Sequence, residues 1–310
     1  MNHELIIESL HPRRRALPGF RGSHRPLLIM AVLPLVVLTA AALAAGPWVE
    51  PWVWMTILAV AVYVGCKWLT WYGQPFGSRR LSLGYLLAWP GMDPKPFQTP
   101  AASPDDPPTP AVSWATVKIA TGVALFALLA PRLSDHPLLA GWAGMIGAIL
   151  ILHFGVFDLL ALAWQRAGVP VQPIMQRPLA AQSLGEFWGR RWNHGFNRLV
   201  HRFVFQPLHR RCGVPASMLA VFLVSGLIHE LVISVPARGG YGGPTLYFLL
   251  QGLGVLIERT RPARRMGAGK GWRGWLITML LLALPLPILF HPPFVLDVVI
   301  PLMQAIGVDL

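Results

Sequence analysis

His229 and Glu230 stand side by side in the middle of Val221 to Val235, VFLVSGLIHELVISV, an otherwise almost wholly apolar run. An ionisable group at lipid depth is costly enough to point to a function by default, and its neighbours become candidate partners. With an unperturbed pKa near ~6.5, histidine is the side chain best suited to take up and return a proton near neutral pH. Ser225 lies one turn before His229, and Gly226 leaves room beside the ring. Glu230 points about 100° away around a helix; it is expected either to partner an arginine or to be exposed to water, and it is given no chemical step. The dipeptide also opens a sequence like the zinc signature H-E-x-x-H, but position 233 is Ile and the second ligand is missing. His194, His201 and His209 have no cysteine at ligand spacing, so no metal site is expected. Gly240 to Gly243, GYGG, reads as a turn rather than a phosphate cradle. His153 and Asp158 interrupt another apolar run and either line the same cavity as His229 or bond neighbouring helices.

The elements that must hold these groups are membrane helices. Of 310 residues, 54% are hydrophobic and 13% charged, where soluble domains have about a quarter charged, and mean hydropathy is +0.52. The net charge of +13 would suit a nucleic-acid partner. Its placement decides otherwise, because the basic residues sit in short loops between apolar runs, where they set orientation and meet anionic headgroups. Cys66 and Cys212 define neither a disulfide framework nor a metal site.

Eight spans are expected. Leu27 to Ala45 forms an uncleaved first span, and Trp48 to Trp71 a second with tryptophans at both interfaces. Leu81 to Trp89 is too short to cross and is expected at the interface, and Ala102 to Pro110, ASPDDPPTP, reads as an exposed linker. Ala111 to Ala130, Leu138 to Trp164, the His229 helix, a helix with its core at Thr245 to Ile257, Trp275 to Phe290 and a final apolar stretch to Leu310 complete the set. Of the 26 Lys and Arg residues, 22 fall before Leu27 or in Tyr72 to Pro110, Arg166 to Pro215 and Glu258 to Arg273. The positive-inside rule makes these segments and both termini cytoplasmic. Lys67 and Lys118, inside spans near the basic side, are expected to snorkel to it. The chain thus divides into a basic cytoplasmic segment, 1–26, and one membrane-embedded domain, 27–310.

Before the His229 helix, Ser183-x-x-Glu186 matches a capping box. A helix is expected to start there, with an apolar stripe from Leu184 through Phe187, Trp188, Trp192, Phe196 and Leu199 to Val204. Glu186, Arg190, Asn193 and Asn197 fall on a second line. Either the arginines meet lipid phosphate, or they and Asn193 face a cytosolic substrate; pattern alone leaves both open.

FWGRRWN, Phe187 to Asn193, followed by SGLIHEL, Ser225 to Leu231, resembles the paired signatures of the wax synthase branch of membrane-bound O-acyltransferases. The two motifs occur in order, 36 residues apart from Asn193 to His229, and the likeness extends over about Ile151 to Glu258. The resemblance implies an all-α polytopic bundle that moves an acyl group from acyl-CoA, as co-substrate, to a hydroxyl acceptor, with a long-chain alcohol as one candidate. It implies no cofactor. By position, the catalytic pair is His229 and Asn193: the first as base toward the hydroxyl, the second as oxyanion donor or as a group orienting the alcohol. Candidate substrate-binding residues are Trp188, Arg190, Arg191, Trp192, Ser225, Tyr247 and Gln251. Arg190 and Arg191 are assigned to the CoA phosphates, since guanidinium groups favour phosphate. Tyr247, Gln251, Gly254 and Glu258 share a helix face that either points toward His229 or bonds neighbouring helices. The rival reading is a transporter or flippase with an intramembrane His relay, which calls for internal repeats and paired broken helices. A non-catalytic scaffold has no use for an Asn and a His so placed.

Overall fold

The computed structural model describes residues 25–100 and 109–310. The basic segment 1–26, apart from its last two residues, and most of the 102–110 linker lie outside the described residues.

Among the described residues the regular structure is helical. Six of the described helices are long and apolar enough to cross a membrane: α1 (Ile29–Trp48), α2 (Pro51–Trp71), α4 (Ala111–Leu133), α5 (Pro137–Arg166), α7 (His194–Ala237) and α9 (Gly271–Leu289). Between them lie α3 (Arg79–Ala88) and α6 (residues 184–191), and two shorter apolar helices, α8 (Gly243–Ile257) and α10 (Pro292–Ala305). All eight expected apolar segments are therefore helices, but α8 and α10 are too short to span alone. Prolines open α2, α5 and α10, where the missing N–H costs nothing and the fixed φ suits a first turn. Outward-facing apolar side chains such as Ile29, Val36, Val117, Leu128 and Leu280 stay exposed, as lipid-facing surfaces require. α3, expected at the interface, turns Tyr85 inward and leaves Leu83 and Leu87 exposed.

The helix expected to run unbroken from Ser183 to Val204 is two. α6 stops at Arg191, the chain reverses at Asn193 in a left-handed conformation (φ 43°, ψ 61°), and α7 begins at His194. α7 in turn is bent at Gly213, whose φ of 75° and ψ of 178° are not helical. Glycine adopts this φ without a Cβ penalty, and Pro215 biases the residue before it away from the α region. The bend yields an early arm, 194–212, and a late arm, 214–237, of about 36 Å at 1.5 Å per residue. Leu199 and Val200 of the early arm share one apolar cluster with Val221, Ile228 and Leu231 of the late arm.

Lys67 does not snorkel. It is buried, with its Nζ donating to the Gly91 carbonyl at 2.6 Å and lying 3.5 Å from the Tyr85 ring centre, so it ties α2 to the loop after α3. Lys118 pairs with Asp158 at 2.7 Å, joining α4 to α5.

Candidate active site

One cavity of about 220 Å³ is walled by α6, both arms of α7 and α8. Asn193 and His229 both line it, together with Trp188, Trp192 and Ser225.

The Asn193 side of the cavity is built by α6. The Ser183 hydroxyl accepts from the Glu186 N–H at 2.9 Å, the first half of the expected capping box. Glu186 departs from the second half: its Oε2 accepts from the N–H of Gln182 at 2.8 Å, and its Oε1 pairs with Arg191 at 2.6 Å. The remaining donors at the helix start, the N–H groups of Leu184 and Gly185, each reach a Glu258 carboxylate oxygen at 2.8 Å. α6 then widens into a π turn over Phe187–Arg191, closed by the Trp192 N–H on the Phe187 carbonyl at 2.8 Å. The wider turn brings Phe187 and Trp192, five residues apart, into a stack with centroids 5.4 Å apart. Trp188 packs against Phe222 and Phe248 and faces the cavity.

Asn193 itself is pinned. Its N–H donates to Met175 Sδ at 3.2 Å, and its Oδ1 accepts from the Phe196 N–H at 3.1 Å as the N-cap of α7. Because the cap takes the amide oxygen, Nδ2 is the end of the amide that remains to donate. Asn197, one turn on, holds the Trp188 carbonyl at 2.7 Å and also lines the cavity.

On the opposite wall, His229 Nδ1 lies 2.7 Å from the Ser225 carbonyl oxygen. A carbonyl only accepts, so Nδ1 carries the proton and Nε2 presents its lone pair. The ring packs on Phe248 at 4.4 Å between centroids, a contact that the sequence did not single out. Ser225 turns its hydroxyl back to the Val221 carbonyl at 2.9 Å, so it contributes its carbonyl to His229 and not its hydroxyl. Gly226 is a packing requirement: a Cβ there would meet the Thr245 Cα at 2.8 Å.

Several expectations change. Glu230 has no arginine as its partner; it accepts from the Gly242 N–H at 2.8 Å and from the Thr245 hydroxyl at 2.9 Å, which caps α8. The polar face of α8 turns from His229. Tyr247 donates to the Leu282 carbonyl at 3.4 Å, and Gln251 donates to the Leu281 carbonyl at 2.8 Å and accepts from Trp188 Nε1 at 3.3 Å. Neither residue lines the cavity. Arg190 and Arg191 are outside the lining as well; Arg191 is held by Glu186 and the carbonyls of Gln176 and Arg177. The cationic group on the cavity is Arg259, directly after Glu258, with His201 on the early arm of α7. Nothing in the FWGRRWN motif points to Arg259, which lies 66 positions beyond Asn193. His153 and Asp158 are likewise absent from the lining.

With this geometry in view, residues 171–250 match the model of the membrane bound O-acyl transferase family. The matched segment carries Asn193, His229 and most of the cavity lining, so this part of the chain is similar to a polytopic membrane-bound O-acyltransferase. The likeness is to the wax synthase branch of that family. The chain is 30% identical over 141 residues to "Probable long-chain-alcohol O-fatty-acyltransferase 9" of Arabidopsis thaliana, which covers 41% of each chain. It is 36% identical over 107 residues to number 2 of the same series, covering 32% of this chain and 31% of the relative. With "Long-chain-alcohol O-fatty-acyltransferase" of Simmondsia chinensis it shares 33% identity over 100 residues, 29% of this chain and 28% of the relative. The chain thus spans about two fifths or less of the length of these relatives in the matched stretch.

Proposed function

We propose that the protein is a membrane-bound O-acyltransferase that moves an acyl group from acyl-CoA to a hydroxyl acceptor, a long-chain alcohol being the acceptor that the names of its relatives favour. The observation that carries the reading is the convergence of Asn193 and His229, from two motifs, on one cavity whose walls are largely aromatic and aliphatic.

In this reading the alcohol O–H lies against His229 Nε2, which takes its proton as the oxygen attacks the thioester carbonyl carbon. A C–O bond forms, and the carbonyl oxygen becomes an oxyanion that accepts from Asn193 Nδ2. A preorganised donor of this kind supplies up to about 3 kcal/mol. Collapse of the intermediate breaks the C–S bond, and the imidazolium returns its proton to the departing thiolate. Ester and CoA thiol leave. The Ser225 carbonyl holds the ring in the one tautomer this cycle needs. In this reading Arg259 and His201, which line the cavity, take the phosphate-bearing part of the donor in place of Arg190 and Arg191.

The test is to incubate membranes containing the protein with labelled acyl-CoA and a panel of alcohols, following free thiol and ester together. His229→Ala is expected to abolish both at unchanged protein level. Undiminished esterification would remove His229 from the mechanism.

A further inference from the structure

α8 touches both halves of the candidate site without carrying either. At its start, Glu230, the residue after His229, accepts from the Gly242 and Thr245 N–H groups at 2.8 and 3.3 Å and from the Thr245 hydroxyl. Just past its end, Glu258 takes the two free N–H groups that open α6, each at 2.8 Å. Between these ends, Phe248 packs on both the His229 ring and Trp188, and Gln251 accepts from the Trp188 indole. Gly226 and Gly252 let the late arm of α7 sit directly on α8: an added Cβ would meet Thr245 Cα at 2.8 Å and the Phe222 ring at 2.9 Å.

We infer that α8 is the spacer that sets Asn193 against His229, and that Glu258 is the positioning residue at its α6 end. The inference rests on the acyl-transfer reading above. Its physical ground is that a helix start leaves N–H groups without intrahelical partners. One carboxylate from α8 satisfies two of them, so the start of α6 is fixed in two directions and not merely tethered. α6 is eight residues long and ends one residue before Trp192-Asn193. A shift at Leu184 therefore carries through to the Asn193 amide. Displacements near 1 Å in positioned groups cost on the order of 100-fold in rate.

The test uses the full-length protein in detergent or nanodiscs, comparing Glu258→Ala, Glu258→Gln, Asn193→Asp and the Glu258→Ala/Asn193→Asp double variant. Two readouts are taken: kcat and KM with acyl-CoA and a long-chain alcohol, and amide hydrogen exchange of peptides covering 184–193 and 214–237. Glu258→Ala is expected to lower kcat about 10- to 100-fold with KM within about twofold, and to speed exchange in 184–193 while 214–237 stays protected. Glu258→Gln, which keeps one acceptor oxygen, recovers most of the rate. In the double variant, the loss of Asn193 hides the loss of Glu258, so its kcat matches Asn193→Asp alone. Unchanged exchange in 184–193, or losses that simply multiply in the double variant, would overturn the inference. Full activity in Asn193→Asp would instead sink the role given to Asn193. Glu258→Ala against the parent then decides by itself, and an unchanged kcat ends the spacer proposal too.

Discussion

At Asn193 the two ends of one amide have separable roles in the proposed reaction. Its oxygen caps α7, and its nitrogen is left for the cavity. Asn193→Asp separates them, since a carboxylate still accepts from the Phe196 N–H and tolerates the left-handed backbone but donates nothing. Expression and thermal stability should stay near those of the parent, while kcat falls about 100- to 1,000-fold, the cost of one lost oxyanion donor. A fall of less than about threefold at normal protein level would show that Nδ2 does not act on the reacting carbonyl. Gly189 is a second residue whose consequence is local. It lines the cavity, and a Cβ added to it meets no heavy atom within 4 Å. Gly189→Leu should thus start into open space at its Cβ and narrow the cavity, and the chain-length profile across an acyl-CoA and alcohol series should move toward shorter chains. An unaltered profile would place the reactive chains elsewhere.

At the scale of the element, the π turn of α6 and the bend at Gly213 matter most, because each breaks a regular helix where the site needs it broken. α6 also carries a titratable staple. Burial disfavours the Glu186 carboxylate, but the Gln182 N–H and the Arg191 guanidinium together outweigh it and hold this carboxyl below the usual carboxylate range. A depressed acid contributes stability that is fully present above its unfolded pKa, near ~4.3, and is lost as pH falls through the folded value. Protection of 184–191 against hydrogen exchange, taken relative to the intrinsic rate at each pH, should therefore fall below about pH 4 in the parent. In Glu186→Gln this protection should be lower already at neutral pH and nearly flat across the same range. Parallel pH curves for the two proteins would rule the staple out.

For the molecule as a whole, the proposal that the basic loops face the cytoplasm has a direct handle in the two cysteines, one exposed at position 212 and one buried at 66. A membrane-impermeant maleimide should label Cys212 in inverted vesicles and leave it untouched in intact cells. Cys66, packed among Val62, Met92, Leu199 and Val200, should react only after denaturation. Labelling of Cys212 from outside would reverse the orientation, and with it the side from which a CoA donor reaches Arg259.

Hydropathy and charge by themselves determined the membrane class and the placing of the apolar helices, because lipid forces every span to satisfy its backbone internally and leaves few other ways to use such segments; the two motifs were legible only through their resemblance to a known family. The identity of His229 as the costly residue in its helix was legible from hydropathy as well. What only the tertiary structure decided was which polar groups meet. Glu230 reads as an arginine partner or an exposed charge and Glu258 as the end of a polar face on α8, yet each closes a helix start contributed by a different segment. Arg191 reads as a phosphate ligand and is a strap; Lys67 reads as snorkelling and is buried on a carbonyl. Helical periodicity put Glu186, Arg190, Asn193 and Asn197 on one line, but a five-residue turn and a left-handed residue break that line before Asn193. Local spacing assumes 3.6 residues per turn without interruption. Hydrogen bonds between segments distant in sequence stabilise the departures from it, and it is those departures that bring Asn193 and His229 to the same cavity.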